Sequence, residues 1–198
     1  IFLNINDFNF ELKTNDPKVF FKNKEIKIKS ISTDLPLKNL LSQKLNLQEI
    51  KILTHKNKIE NLIEVMRAYK NNPQLFILNK IVKDGFIEIE IKINFKEDGS
   101  IKSNYLVDGN IGNLKLELLN DNIVEEINFS FLIKEKDYLI YNLSSLYQSI
   151  NIKSNQIKII NNQDSYNFEG DISNLKGKID LSKFSAFLNK NIRGIVKE

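Results

Sequence analysis

Between Phe86 and Phe95 the chain alternates strictly: Ile87, Ile89, Ile91, Ile93 and Phe95 are interleaved with Glu88, Glu90, Lys92 and Asn94. A period of two marks a strand with one dry and one wet face. At about 3.4 Å per residue the run spans roughly 30 Å, longer than a usual strand. Directly opposed residues of an antiparallel pair share a face, so parity constrains the following turn. A two-residue Asp98-Gly99 loop would set Phe95 against Lys102 and mix the faces. A three-residue loop, Glu97-Asp98-Gly99, sets Phe95 against Ile101, Ile91 against Tyr105 and Ile89 against Val107, with Gly99 in the left-handed position.

The same rhythm returns in Ile127, Phe129, Phe131 and Ile133. A return strand from Tyr138 to Leu143 is apolar on both faces, which leaves its parity open. Ile157 pairs with Phe168, and Ile159 with Tyr166, if Asn161–Asp164 form a four-residue loop; Ile172, Leu175, Gly177 and Ile179 continue the pattern. Phe2–Leu12, Glu25–Ser32 and Leu47–Leu53 read as further strands. Helical spacing is confined to short stretches. Ile59, Leu62, Ile63, Met66 and Tyr69 follow the three-four repeat of an amphipathic helix. Asn72 caps a second helix, with Pro73 at its first position and Leu75, Phe76, Leu78 and Ile81 inside it. A third helix is expected after Asp34 and Pro36, burying Leu37, Leu40 and Leu41. The predicted fold is mainly β (β-rich α+β): a long curved antiparallel meander forming an open apolar groove, with about three short helices. It is one segment over 1–198, with a helical insertion at about 57–82. One internal repeat, Asp34–Leu41 against Asp180–Leu188, would mark strand-to-helix punctuation.

Composition sharpens this picture. In 198 residues there are only Gly 7 and Pro 3, so long uninterrupted elements are expected, and no Gly/Ser-rich or Pro-rich linker divides the chain. The net charge of +4 is almost wholly lysine, with Arg67 and Arg193 the only arginines. Those lysines alternate with Glu, Asp and Asn and form no basic stripe, which argues against nucleic acid. Cysteine is absent, so disulfides and thiolate metal sites are excluded.

Catalytic constellations are hard to assemble. His55 is the only histidine, which removes two-histidine metal sites, and it sits among lysines where a solvated loop residue is expected. No G-x-S-x-G elbow carries a nucleophilic serine. Glu88 and Glu90 could be read as the paired carboxylates of a glycosidase, but they share the wet face with Lys92 and read better as surface charge. Gly109 and Gly112 are not followed by the Lys-Ser/Thr of a phosphate loop and read as turn residues. Asp98-Gly99 lacks the other ligands of a calcium loop. The chain is therefore expected to be neither an enzyme nor a cofactor protein.

What remains is the apolar face. If the sheet curls without closing, a trough stays open, and an acyl chain fills it at about 0.8 kcal/mol per methylene. The expected lining is Ile87, Ile89, Ile91, Ile93, Phe95, Ile101, Tyr105, Val107, Ile127, Phe129, Phe131, Ile133, Ile157, Ile159, Tyr166, Phe168 and Ile172. The alternative is a structural or adhesive β-domain whose apolar face is an ordinary sealed core.

The run from Ile31 through Ile52, with Asp34-Leu35-Pro36-Leu37, Leu40-Leu41, Leu47 and Ile50, resembles the AsmA and TamB group of bacterial envelope proteins. Gly170-Asp171-Ile172, Leu175, Gly177, Ile179-Asp180-Leu181 and Phe184 are similar to the same group, as is the hairpin from Gly99-Ser100-Ile101 to Val107-Asp108-Gly109. The resemblance implies a repeating β-groove protein anchored in the inner membrane. Such a protein crosses the periplasm and conducts phospholipid toward the outer membrane, where a protein partner would receive it. It implies phospholipid or another acyl lipid as ligand, no cofactor and no catalytic residues. The chain departs from the pattern in its short length and in carrying no visible anchor; beginning at Ile1, it is expected to be a piece of something longer.

Overall fold

A computed structural model describes residues 2–4, 9–21, 23–36, 47–70, 72–96, 98–118, 122–135, 137–162 and 165–174. Strands β1 (Phe2–Asn4), β2 (Asn9–Asn15), β3 (Lys18–Phe21), β4 (Lys24–Pro36), β5 (Glu49–Thr54) and β6 (Asn57–Lys58) precede two helices, α1 (Ile59–Tyr69) and α2 (Pro73–Ile81). Strands β7 (Val82–Asn94), β8 (Leu106–Glu117), β9 (Ile123–Lys134), β10 (Asp137–Tyr147), β11 (Ile150–Asn162), β12 (Ser165–Gly170) and β13 (Ser173–Asn174) follow. All belong to one antiparallel sheet in the order β1-β2-β4-β5-β7-β8-β9-β10-β11-β12, with β3 on β4, β6 on β7 and β13 on β11. The two ends of that path do not pair, so the sheet is not closed.

Several expectations need correction. Phe2–Leu12 is not one strand: β1 and β2 pair with each other, Leu3 opposite Phe10, so the chain reverses between them. Asp34, Leu35 and Pro36 do not open a helix but extend β4 along β2, with Leu35 only 2% exposed. Pairing with β2 and burial of Leu35 outweigh the local Asp and Pro signal, and a proline at a strand end forfeits little. The third predicted helix, on Leu37, Leu40 and Leu41, lies outside the described residues. So do residues 180–188 of the suspected repeat, together with Leu175, Gly177, Ile179 and Phe184.

Both predicted hairpin registers have the right parity and the wrong length. Phe95 does face Ile101, and Gly99 is left-handed at φ 82°. Beyond that bridge, however, Ile91 pairs with Val107 rather than Tyr105, and Ile89 with Gly109 rather than Val107. Residues 102–105 step out of the ladder, and the shift by two keeps each side chain on its face. Likewise Ile157 pairs with Gly170 and Ile159 with Phe168, because the ladder runs on to Asn162 opposite Ser165 and shortens the loop. Gly109 and Gly112 are not turn residues but lie inside β8. At Gly109 a Cβ would come within 2.6 Å of Phe131 Cζ, so the missing side chain is what lets that ring lie across the strand.

A line of irregularities crosses the sheet. The registers of β7 with β8, β8 with β9 and β9 with β10 all shift at the same level. Beside each shift stands a left-handed residue: Gly85 at φ 139°, Asn113 at 51°, Glu126 at 53° and Asn142 at 52°. These are bulges, each adding a residue to its strand. Apolar spacing widens there from two to three, as in Val82 to Gly85, Ile111 to Leu114, Val124 to Ile127 and Ile140 to Leu143. The apolar face therefore passes through the seam without changing sides.

The helices cover that seam. Ile59 and Ile63 of α1 are buried with Val82, Leu114 and Ile127, and Ile87, Ile111, Leu116, Val124, Phe129 and Leu143 pack around them. Asn57 fixes the approach: its amide accepts from Lys27 N at 2.8 Å and donates to the carbonyls of Lys27 at 3.0 Å and His55 at 2.8 Å. Lys24 reaches Glu64 at 2.6 Å and ties α1 to β4. In α2, Asn72 Oδ1 accepts from Leu75 N at 2.8 Å, the cap expected from the sequence, and Pro73 opens the helix.

Candidate functional site: the apolar sheet face

Cross-strand register assembles the candidate face. Ile31 opposes Ile52, which opposes Ile91; Ile91 opposes Val107, and Val107 opposes Ile133. The row continues from Ile133 to Tyr138, from Tyr138 to Ile159 and from Ile159 to Phe168. One uninterrupted apolar row thus runs from β4 to β12. A second row alongside it comprises Ile89, Gly109, Phe131, Ile140, Ile157 and Gly170. Ile50 and Ile93 form a further pair, and Ile87, Ile111 and Phe129 form the row nearest α1. The rings of Phe129 and Phe131 meet tilted, 6.2 Å apart.

Burial divides these residues. Of the expected lining only Ile127 is buried, and it sits under α1 with Ile87 and Phe129 packed beside it. Ile89, Ile91, Ile93, Phe95, Val107, Phe131, Ile133, Ile157 and Ile159 are half-buried, intermediate between Ile127 and the exposed margins. Ile101, Tyr166 and Phe168 at the margins are exposed. Two expected members stand apart: Tyr105 lies in the stretch that leaves the ladder, and Ile172, 71% exposed, lies between β12 and β13.

Sequence reasoning missed Ile31, Ile50, Ile52, Tyr138 and Ile140. The parity of Tyr138 and Ile140 depends on a tight turn in which Lys134 pairs with Asp137 and Glu135 is left-handed at φ 56°. No glycine or asparagine announces that turn. For Ile50 and Ile52 the alternation was visible, but their strand could not be assigned a neighbour.

The opposite face is mixed: Leu53, Leu132 and Leu139 share it with Glu90, Asp108 and Lys158. Glu90 accepts from Lys51 at 3.0 Å and Lys92 at 3.1 Å. The Lys51 contact, assisted by Lys92 and opposed by partial desolvation, holds its carboxyl below the ordinary carboxylate value. An ionised, doubly paired carboxylate is a poor general acid, since that role needs a raised value. His55 Nε2 lies 2.7 Å from Asp16 Oδ1, both exposed. Asp98 accepts from the Ser100 hydroxyl and amide and is likewise held low by them, an ordinary turn contact. A recess of about 590 Å³ is lined by Ser103, Tyr105, Lys134, Glu135 and Asp137 at the loop end of β8–β10. Among the described residues no three histidines or carboxylates converge on a metal position, and no helix is long and apolar enough to cross a membrane. Comparison with family models, curated proteins and solved structures finds no match.

Proposed function

We propose that the chain binds or conducts lipid, holding acyl chains against the apolar face between β4 and β12, and that it performs no catalysis. One observation carries the reading: a cross-strand apolar row whose members, Ile91, Val107, Ile133, Tyr138 and Ile159, are half-buried rather than sealed. Bulges bend their strands and increase local twist, so a seam of them fits a sheet curved into a trough. An acyl chain lying in it removes apolar surface from water at about 0.8 kcal/mol per methylene, and no directional polar group is required.

The resemblance to the AsmA and TamB group extends this reading to place. The chain would be one segment of an envelope protein carrying phospholipid through the periplasm between inner and outer membranes. Its anchor to the inner membrane would lie in another segment. The cluster under α1 favours the second reading, a structural or adhesive β-domain, because there the same face is an ordinary core.

Native mass spectrometry with lipid extraction separates the two. Copurifying phospholipid or fatty acid is expected. A homogeneous apo protein that takes up no fatty acid on titration sinks the lipid reading and leaves the structural one.

A further inference from the structure

The helical insertion carries a surface that the sheet does not account for. Ile59, Ile63 and Leu75 point inward and are buried, yet Met66 is 54% exposed, Tyr69 94%, Phe76 49%, Ile77 55% and Leu78 40%. On α2, Pro73, Phe76, Ile77 and Lys80 recur at three-four spacing and form one stripe away from Leu75. This corrects the expectation for Met66 and Tyr69: helical spacing placed them on the core stripe, but the end of α1 projects past the apolar cluster.

Charge is gathered at the same place. Between Glu64 and Asp84 the chain carries Arg67, Lys70, Lys80 and Lys83 and no acidic residue. Lys83 pairs with Glu117 at 3.4 Å, whereas Arg67, Lys70 and Lys80 form no ion pair among the described residues. The Arg67 guanidinium lies 5.4 Å and the Lys80 ammonium 5.7 Å from the centre of the Phe76 ring. Arg67 Nε is buried without a hydrogen-bond partner, an unmatched donor beside an exposed aromatic.

From this arrangement we infer that the α1–α2 hairpin docks the protein on an anionic phospholipid bilayer. Phe76 and Ile77 enter the boundary between headgroups and acyl chains, and Arg67, Lys70 and Lys80 meet the phosphates. Apolar side chains ringed by unpaired cations are the composition of interfacial helices, and cations near an anionic leaflet each strengthen binding. A nucleic acid would satisfy the cations but leave Ile77 and Leu78 in water. The inference stands on the hairpin alone and does not need lipid on the sheet face.

The test is sedimentation of the 198-residue chain with phosphatidylcholine vesicles made with and without phosphatidylglycerol. Binding is expected only with phosphatidylglycerol, and high salt should weaken it. Neutralising a cation should weaken binding about five-fold, so Arg67→Gln with Lys80→Gln should lose about 25-fold. Ile77→Asp should abolish binding. Circular dichroism checks that each variant folds. Because Arg67 is partly buried, Lys70→Gln with Lys80→Gln, both exposed and expected to lose the same factor of about 25, decides the matter if another variant unfolds. Absence of binding, equal binding to neutral vesicles, or wild-type binding by folded variants overturns the inference. Copurifying lipid is measured on the same samples. A lipid-loaded chain that fails to sediment sinks only the docking surface, and an empty chain that sediments sinks only the reading of the sheet.

Discussion

The apolar face of this sheet has two regimes. Over the bulge seam, Val82, Leu114 and Ile127 lie under Ile59 and Ile63 and are nearly inaccessible to water. Farther along the same strands, Ile91, Val107 and Ile133 are paired in unbroken register and remain half-buried. Residue type is alike in the two places, and the bulges of the seam keep its apolar residues on the same face as the regular rows. What differs is the bulged backbone of the seam and a helix of eleven residues lying on it. An apolar stripe therefore commits a sheet face to leaving water without specifying what removes it. At one end the chain supplies its own cover, and at the other a ligand is proposed to do so.

The strongest test of this contrast is truncation in both regimes. Leu114→Ala or Ile63→Ala should lose about 2–5 kcal/mol, the usual loss for emptying a closed core. Ile133→Ala should lose less, about 1.5–2 kcal/mol, because its side chain is only partly buried and leaves no closed cavity. Urea denaturation of the lipid-free protein measures both. Equal losses would mean the outer rows are as sealed as the seam.

The seam itself can be attacked next. Gly85 is left-handed, and a Cβ there would come within 2.9 Å of Leu114 Cα and 3.0 Å of Ile59 Cδ1. Gly85→Ala combines backbone strain of about 1–3 kcal/mol with a clash that lifts α1. It should lower the melting temperature and expose the covered region to a hydrophobic dye. An unaltered melting curve would show that the helix is not seated on the bulge.

The smallest effect belongs to the Glu90 ion pairs on the opposite face. Glu90 is held below its ordinary value by Lys51 and Lys92. Its folded-state value is thus depressed, so its contribution is present above the unfolded-state value and lost as pH falls through the folded one, in the acid range below about 4.5. Because the pair is partly solvated, Glu90→Gln should cost less than about 1 kcal/mol at neutral pH. It should also flatten the acid limb of the stability profile. A larger loss would make the wet face structural rather than merely solvating.

Much of this organisation was legible in the sequence, for a physical reason: a period of two reports the face and nothing else. Ile87–Phe95 and Ile127–Ile133 each keep their apolar residues on a single face, as the alternation required. The pairings Ile91–Val107 and Ile159–Phe168 were each mistaken by two residues, a displacement that alternation cannot detect. The bulges were visible only as a widening of spacing, Ile111 to Leu114 and Val124 to Ile127, and two of them use Asn113 and Asn142, residues that tolerate the left-handed region. Glu126 gave no such hint. Nor could spacing say that α1 would cover Ile127 while leaving Ile133 open, since that depends on where the helix lands.

The most direct measurement is photocrosslinking from opposite sides of one strand. Tyr138 lies on the apolar row opposite Ile133, whereas Tyr141 pairs with Ser130 and Gln156 on the other face. Benzoylphenylalanine in place of Tyr138 should attach phospholipid on irradiation of cells, and the same group in place of Tyr141 should not. Equal labelling of the two positions, or none at Tyr138, contradicts a lipid-holding face.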